Sequence, residues 1–375
     1  MKFLHTADWQ IGMKASRVGE AGKLVRDQRL KSARNVVELA KEKQAEFILL
    51  AGDTFENNGV DRILVQRVAD ILGSANIPVF VIPGNHDPFV PGSVWEHPSW
   101  RVAENVFILL EAKPVAIPGG FLFPCPVREK HSGKDPTSWI SAREVTGVRL
   151  GIAHGTVEGI PQEEADYPIP RDAAIRAGLD YLALGHWHSV ATYPITDGTI
   201  RMAYSGTHET TKFGERDSGN ILIVEIVGAN AVPKVTAVRT GALEWKAIEA
   251  DLRQQDDLAE LCKQIDLIKN PSSVLLDLQI TGLIKTEDEV ELKHISEIVS
   301  SRFLYGNLDA SRVYPSPEDD SWIAGLPAGI IREAGARLQQ LAAPNFAGSR
   351  PEGATPEVAS RALMELFSIL AEARQ

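Results

Sequence analysis

The stretch Phe47-Ile48-Leu49-Leu50-Ala51-Gly52-Asp53-Thr54-Phe55 decides the fold. Its first five residues form an unbroken apolar run of strand length, the pattern of a strand covered on both faces. The run stops on a Gly-Asp pair. A glycine has no Cβ, so the chain can turn sharply there and carry Asp53 beyond the carboxyl end of a sheet, where open α/β sheets hold their ligands. Upstream, residues 23–45 show helical spacing in Leu24, Leu30, Val36, Val37, Leu39 and Ala40. Downstream, residues 60–75 repeat it with Val60, Ile63, Leu64, Val68 and Ile71, before a second buried-strand run, Val79-Phe80-Val81-Ile82. This is a βαβαβ opening.

From about 106 to 227 strand-like runs take over: Val106–Leu110, Val115–Ile117, Phe121–Phe123, Val148–Ala153, Tyr181–Leu184, Ile200–Tyr204 and Ile221–Val227, with one helix near 171–177. Glycine and proline punctuate them. An α/β fold, a two-sheet β-sandwich flanked by helices, accommodates both halves. A third texture begins near Trp245: helix-like 256–268, strand-like Val274–Ile280 and helix-like 286–300 suggest a small α+β unit. Tyr314-Pro315-Ser316-Pro317 reads as a linker before helical 327–343. After a loop at 344–354, a last amphipathic helix is expected over Pro356–Arg374, with Leu363, Leu366, Phe367, Leu370 and Ala371 as its apolar stripe. The expected division is 1–235, 236–320 and 321–375.

Among 375 residues, 44% hydrophobic and 24% charged, disorder on a domain scale is not expected. Cys125 and Cys262 match no disulfide framework or thiolate metal spacing. The opening Met1–Asp8 is too short an apolar run for a signal peptide, and no stretch approaches the roughly 20 apolar residues of a membrane helix. A cytoplasmic location without membrane contact is the expectation. A net charge of -11 counts against a standalone nucleic-acid binder, because phosphate affinity comes largely from Lys and Arg.

Five strand-like runs end in residues able to hold a metal: Asp8-Trp9-Gln10, Gly52-Asp53, Gly84-Asn85-His86-Asp87, His154, and His186-Trp187-His188. Carboxylate, imidazole and amide donors without thiolate suit Mn²⁺, Fe or Zn²⁺. Two such ions about 3.5–4 Å apart, sharing one carboxylate, clamp a phosphate and activate a hydroxide for in-line attack. His86 follows a ligand directly and is expected to face substrate, protonating the leaving oxygen or neutralising charge there. His5, His97, His131, His208 and His294 lack this context and read as structural or surface residues.

In these motifs the sequence resembles the calcineurin-like metallophosphoesterase superfamily, and within it the SbcD-like DNA-repair nuclease subunits. The matches are Leu4-His5-Thr6-Ala7-Asp8-Trp9, Ala51-Gly52-Asp53-Thr54-Phe55, Gly84-Asn85-His86-Asp87, His154-Gly155 and Leu184-Gly185-His186-Trp187-His188, then Tyr204-Ser205-Gly206-Thr207 with Phe213-Gly214-Glu215. The resemblance implies that Asp8, Asp53 and His188 hold one metal, with Asp53 bridging. Asn85, His154 and His186 would hold the other, and His86 would be the catalytic histidine. It further implies Mn²⁺ dependence, exonuclease or endonuclease action on DNA, a capping domain, and C-terminal helices that dock on an SbcC-like coiled-coil ATPase. Homodimers also occur among relatives.

One departure is Gln10, where the family usually places a histidine ligand; its neutral amide oxygen is expected to weaken the first site or favour a harder ion. Another is Glu56, three residues after Asp53, which either orients His86 or is an exposed loop acid. Lys14, Arg17, Lys212 and Arg216 are candidate phosphate contacts. Two other functions fit the same residues: a phosphodiesterase acting on small molecules or cyclic nucleotides, which the acidity favours, and a catalytically weakened scaffold partner, which Gln10 alone supports.

Overall fold

Every residue of Phe47–Ala51 is buried and forms a strand, and the reason lies in what covers each face. Phe47, Leu49 and Ala51 join one core cluster and Ile48 and Leu50 another, so successive side chains enter different cores. The computed structural model describes residues 1–159, 166–195, 198–253, 256–317 and 320–373. They form two units, Met1–Glu244 and Trp245–Gln375.

The strands of the first unit are β1 (Lys2–Thr6), β2 (Phe47–Ala51), β3 (Val79–Ile82), β4 (Val106–Ile108), β5 (Val115–Ile117), β6 (Gly120–Cys125), β7 (Val148–His154), β8 (Tyr181–Gly185), β9 (Ala191–Pro194), β10 (Ile200–Tyr204), β11 (Asn220–Glu225) and β12 (Lys234–Arg239). Two six-stranded sheets result, ordered β12-β11-β1-β2-β3-β4 and β5-β6-β7-β8-β10-β9. In the first, β1 to β4 run parallel; in the second, β6, β7, β8 and β10 do. Antiparallel strands close the edges. Phe3, Phe47 and Leu49 pack with Leu150, Ile152 and Tyr181 between the sheets.

Helices α1 (Gly22–Glu42) and α2 (Arg62–Gly73) cover the outer face of the first sheet through Leu30, Val36, Val37, Val68 and Leu72. Asp61 caps α2, its side chain accepting from the Ile63 N–H. A short helix, α3 (Ser99–Val102), follows β3. On the second sheet, α4 (Ala173–Ala177) packs Ala173, Ala174 and Ala177 near Leu182 and Leu184. The flanked two-sheet α/β architecture expected from the sequence is the one that forms.

The second unit has a three-stranded sheet, β13 (Glu244–Leu252), β14 (Val274–Ile284) and β15 (Tyr305–Pro315), in that order. Helices α5 (Asp257–Asp266) and α6 (Glu289–Arg302) share a core with it through Leu258, Leu261, Ile265, Leu276, Leu278, Ile295 and Val299. The sequence reading recognised one strand here, and that is corrected. Tyr314 and Pro315 are no linker but the end of β15, which pairs in parallel with β14. Two further helices follow, α7 (Ile330–Ala342) and α8 (Pro356–Glu372), with Leu363 buried and the Phe367 ring 5.1 Å from Trp322. Arg374, the expected end of the last helix, lies outside the described residues. Among the described residues no helix is long and apolar enough to cross a membrane.

Candidate metal centre

Asp8 and Gln10 follow β1, Asp53 follows β2, Asn85 and His86 follow β3, His154 ends β7, and His186 and His188 follow β8. Parallel strands put all these ends on one side of their sheets, and the cluster closes there. The Asp8 carboxylate accepts the His186 N–H at 3.0 and 3.1 Å. His154 Nε2 lies 3.3 Å from Asp53 Oδ2 and 2.9 Å from Asn85 Oδ1, which is also 3.2 Å from His186 Nδ1. Gln10 Nε2 stands 3.1 Å from His188 Nε2. Ligand atoms of Asp8, Asp53 and His154 all lie within 4.8 Å of one another, and the three residues are buried.

The backbone is bent to make this possible. Asp8, Gln10, Asp53 and His186 have φ of 53°, 41°, 50° and 106°, left-handed values that typically cost a non-glycine residue on the order of 1–3 kcal/mol and cluster at functional sites. Close approach also requires glycine. A Cβ on Gly84 would stand 2.2 Å from Asp53 Oδ1, and one on Gly185 would stand 1.9 Å from the Ala51 carbonyl oxygen.

Histidine tautomers follow from their neighbours. The Ala51 carbonyl lies 2.8 Å from His154 Nδ1 and accepts its proton, leaving Nε2 to face the carboxylates. Glu215 Oε1, 2.7 Å from His188 Nδ1, does the same for that ring. Glu215 is itself held by the Thr211 N–H and hydroxyl. His86 Nδ1 is 3.0 Å from the Glu56 main-chain carbonyl, and the His86 N–H donates to Asp53 Oδ1 at 2.9 Å. The Glu56 contact thus runs through its backbone.

Burial pushes the Asp8 carboxyl up to about 6, with Asp53 adding to the rise and His154 and His188 opposing it. For Asp53 burial also favours the neutral form, but the charge and hydrogen bond of His154, with His86, outweigh it and hold the group below the usual carboxylate range. Burial opposes charge on His154, yet Asp53 and Asp8 lift it to about 9. His186 is lowered to about 4 by burial and by His154. Two buried carboxylates beside an amide oxygen and imidazole nitrogens are a donor set that fits a divalent cation.

Several supports were invisible in the sequence. Arg29 on α1 is fully buried; its guanidinium donates to the carbonyls of Trp9 at 2.6 Å and Glu209 at 2.7 Å and to Thr207 Oγ1 at 3.1 Å. Glu209, equally buried, accepts from Ser32 Oγ and the Ala242 and Leu243 N–H groups. Asp166 touches Asn85. Among the supporting residues only Glu215 sat in a recognisable motif. His5 is buried against Tyr181 and the Leu184 carbonyl and His208 against the Arg29 carbonyl, His97 is half-buried beside Ser99, and His294 is exposed. Lys14, Arg17, Lys212 and Arg216 are exposed.

The parallel strands of the two sheets thus gather carboxylate, amide and imidazole groups at one set of strand ends. Residues 1–190 match the calcineurin-like phosphoesterase family, and the chain belongs to it. That family uses divalent metals, and membership points the chain to phosphoester hydrolysis. The chain is 22% identical over 306 residues to the uncharacterized metallophosphoesterase YhaO of Bacillus subtilis (strain 168), covering 75% of this chain and 72% of that protein. Similar solved structures include TT1561 of Thermus thermophilus (TM-score 0.41, 11% identity, 64% of this chain and 98% of that one). Another is Vps29 with Zn²⁺ from Entamoeba histolytica (TM-score 0.32, 12% identity, 64% and 99%).

Proposed function

We propose that the chain is a phosphodiesterase acting on DNA, an exo/endonuclease subunit of an SbcCD-type repair complex, with two divalent ions per chain and Mn²⁺ as the metal. The observation that carries this reading is the hydrogen-bonded cluster of Asp8, Asp53, Asn85, His154 and His186, with His188 beside Gln10. Asp8, Gln10, Asp53 and His188 would hold one ion and Asn85, His154 and His186 the other, with Asp53 shared. When bound, the pair polarises the phosphate and lowers the pKa of water.

The chain's own residues do the rest. The Ala51 carbonyl and Glu215 keep the Nδ1 protons of His154 and His188 away from the centre, so each ring presents Nε2. His86, with Nδ1–H donated to the Glu56 carbonyl, would when protonated on both nitrogens pass the Nε2 proton to the leaving oxygen and remain as the neutral Nδ1–H ring. The second unit takes DNA recognition. Helices α7 and α8, which leave Ile330, Ile331, Val358 and Ile369 exposed, take the contact with a coiled-coil ATPase.

The test is cleavage of linear duplex and single-stranded DNA across a Mn²⁺ titration, with Asp53→Asn as control. Metal-dependent cleavage that this change abolishes supports the reading. Efficient hydrolysis of a small nitrophenyl phosphodiester with DNA left intact would transfer it to a small-molecule phosphodiesterase, which the net charge of -11 favours.

A further inference from the structure

We infer that Asp166 is a positioning residue that fixes which end of the Asn85 side-chain amide faces the metal centre; the inference rests on the proposed ligand set. An asparagine amide has two nearly isosteric ends, an accepting oxygen and a donating NH₂, and only the oxygen can ligate a cation. Asn85 Oδ1 is the end that meets His154 Nε2 at 2.9 Å and His186 Nδ1 at 3.2 Å. Asn85 Nδ2 points the other way and donates to Asp166 Oδ2 at 3.3 Å. A carboxylate accepts and does not donate, so a flipped amide would set its oxygen against that of Asp166.

Asp166 is in turn fixed. Its Oδ1 accepts the Ser132 N–H at 2.9 Å, and His131 Nδ1 lies 3.2 Å from Oδ2. Its own main chain is anchored by the Asp166 carbonyl accepting the Thr156 N–H at 2.8 Å, two residues beyond His154. The side chain is 13% exposed, so water competes little for the oxygen that Asn85 uses. Asp166 thereby sets a ligand's orientation without approaching the ions, the role that outer-shell partners commonly play at metal sites.

A double-mutant cycle separates orientation from mere support. Mn²⁺ affinity and stoichiometry are measured by calorimetry on the full chain and on Asp166→Asn, Asn85→Asp and the double variant. Removing the acceptor-only partner is expected to weaken one of the two Mn²⁺ sites by about tenfold or more. With aspartate at position 85 both ends are oxygen, so no end needs selecting; Asp166→Asn is then expected to leave affinity unchanged or tighten it, because two facing carboxylates lose their repulsion. Asp166→Ser, whose hydroxyl can still accept the Ser132 N–H, repeats the comparison should Asp166→Asn misfold. An equal loss in both backgrounds, or no loss in either, overturns the inference while the metal reading stands. An unmodified chain that binds no Mn²⁺ sinks the metal reading itself, and this inference with it.

Discussion

At the scale of single residues, position 10 places a neutral amide against one of the histidines of the centre. Glu215 takes the Nδ1 proton of His188, so the Nε2 lone pair faces Gln10 Nε2 at 3.1 Å and accepts from it. Part of the ring's donor capacity is therefore spent on an amide that a histidine at position 10 would not present in the same way. Gln10→His is expected to tighten Mn²⁺ at the first site and to raise cleavage at low metal; a calorimetric titration unchanged by the substitution would show that residue 10 does not ligate. His86→Ala is expected to keep the metals and lose about 10²–10⁴-fold in turnover, read as cleavage rate against bound Mn²⁺. The side chains that meet at the centre could be picked out in the sequence, because they follow strand-like runs and Asp53, Asn85, His154 and His186 adjoin a glycine. Arg29, Glu209 and Asp166 could not. Their partners lie 20 to 180 residues away or, for Asp166, 81 residues away, and nothing in local spacing announces a tertiary contact.

At the scale of elements, apolar strands declared themselves even where half-exposed, as in β4 and β5, and the polar half-exposed ones did not. All five residues of β2 are buried in one continuous apolar run; all seven of β7 are buried too, with Arg149 alone breaking the run before His154. Strand β12, at a sheet edge, is exposed except for the half-buried Val235 and Val238, and β15 carries Asn307, Asp309, Ser311 and Arg312 in a pattern that composition alone reads as loop. Length matters as well: β4 ends at Ile108 rather than Leu110, although the Leu109 N–H still donates to the Val81 carbonyl of β3 at 2.8 Å. The strand-end glycines make the sharpest element-scale test. Gly185→Ala forces a Cβ to within 1.9 Å of the Ala51 carbonyl and 2.8 Å of His154 Nδ1. The two strands cannot both keep their places, so a stability loss of about 1–3 kcal/mol or more is expected, together with weaker Mn²⁺ binding. Thermal melts with and without Mn²⁺ check both.

At the scale of the whole first unit, His5 links the two sheets. It lies on β1, with Nδ1 3.1 Å from the Tyr181 hydroxyl and Nε2 3.1 Å from the Leu184 carbonyl on β8. Burial lowers its pKa from 6.5 to about 3, with the Leu184 hydrogen bond opposing the fall. A group whose folded pKa is depressed in this way stays neutral in the fold while the unfolded chain takes up a proton. Its contribution is complete above pH 6.5 and shrinks as pH falls through the window down to about 3. Between pH 6.5 and about 5 the loss is on the order of 2 kcal/mol. His5→Gln is expected to flatten the acid limb of the stability curve over that window, measured by denaturant unfolding at several pH values; an unchanged slope would place the acid sensitivity elsewhere.

The Ala51 carbonyl belongs to β2 in one sheet, accepts the Nδ1 proton of His154 from β7 in the other, and sits where a side chain on Gly185 of β8 would be. One peptide oxygen is thus the pivot on which both leaves of the sandwich register. Drift in sequence at position 51 is tolerable for any small side chain that leaves this peptide plane alone, whereas a substitution that rotates the plane would misalign the two halves of the chemistry together. The constraint falls on a backbone angle, and the side chain of the alanine that carries it takes no part in the contact.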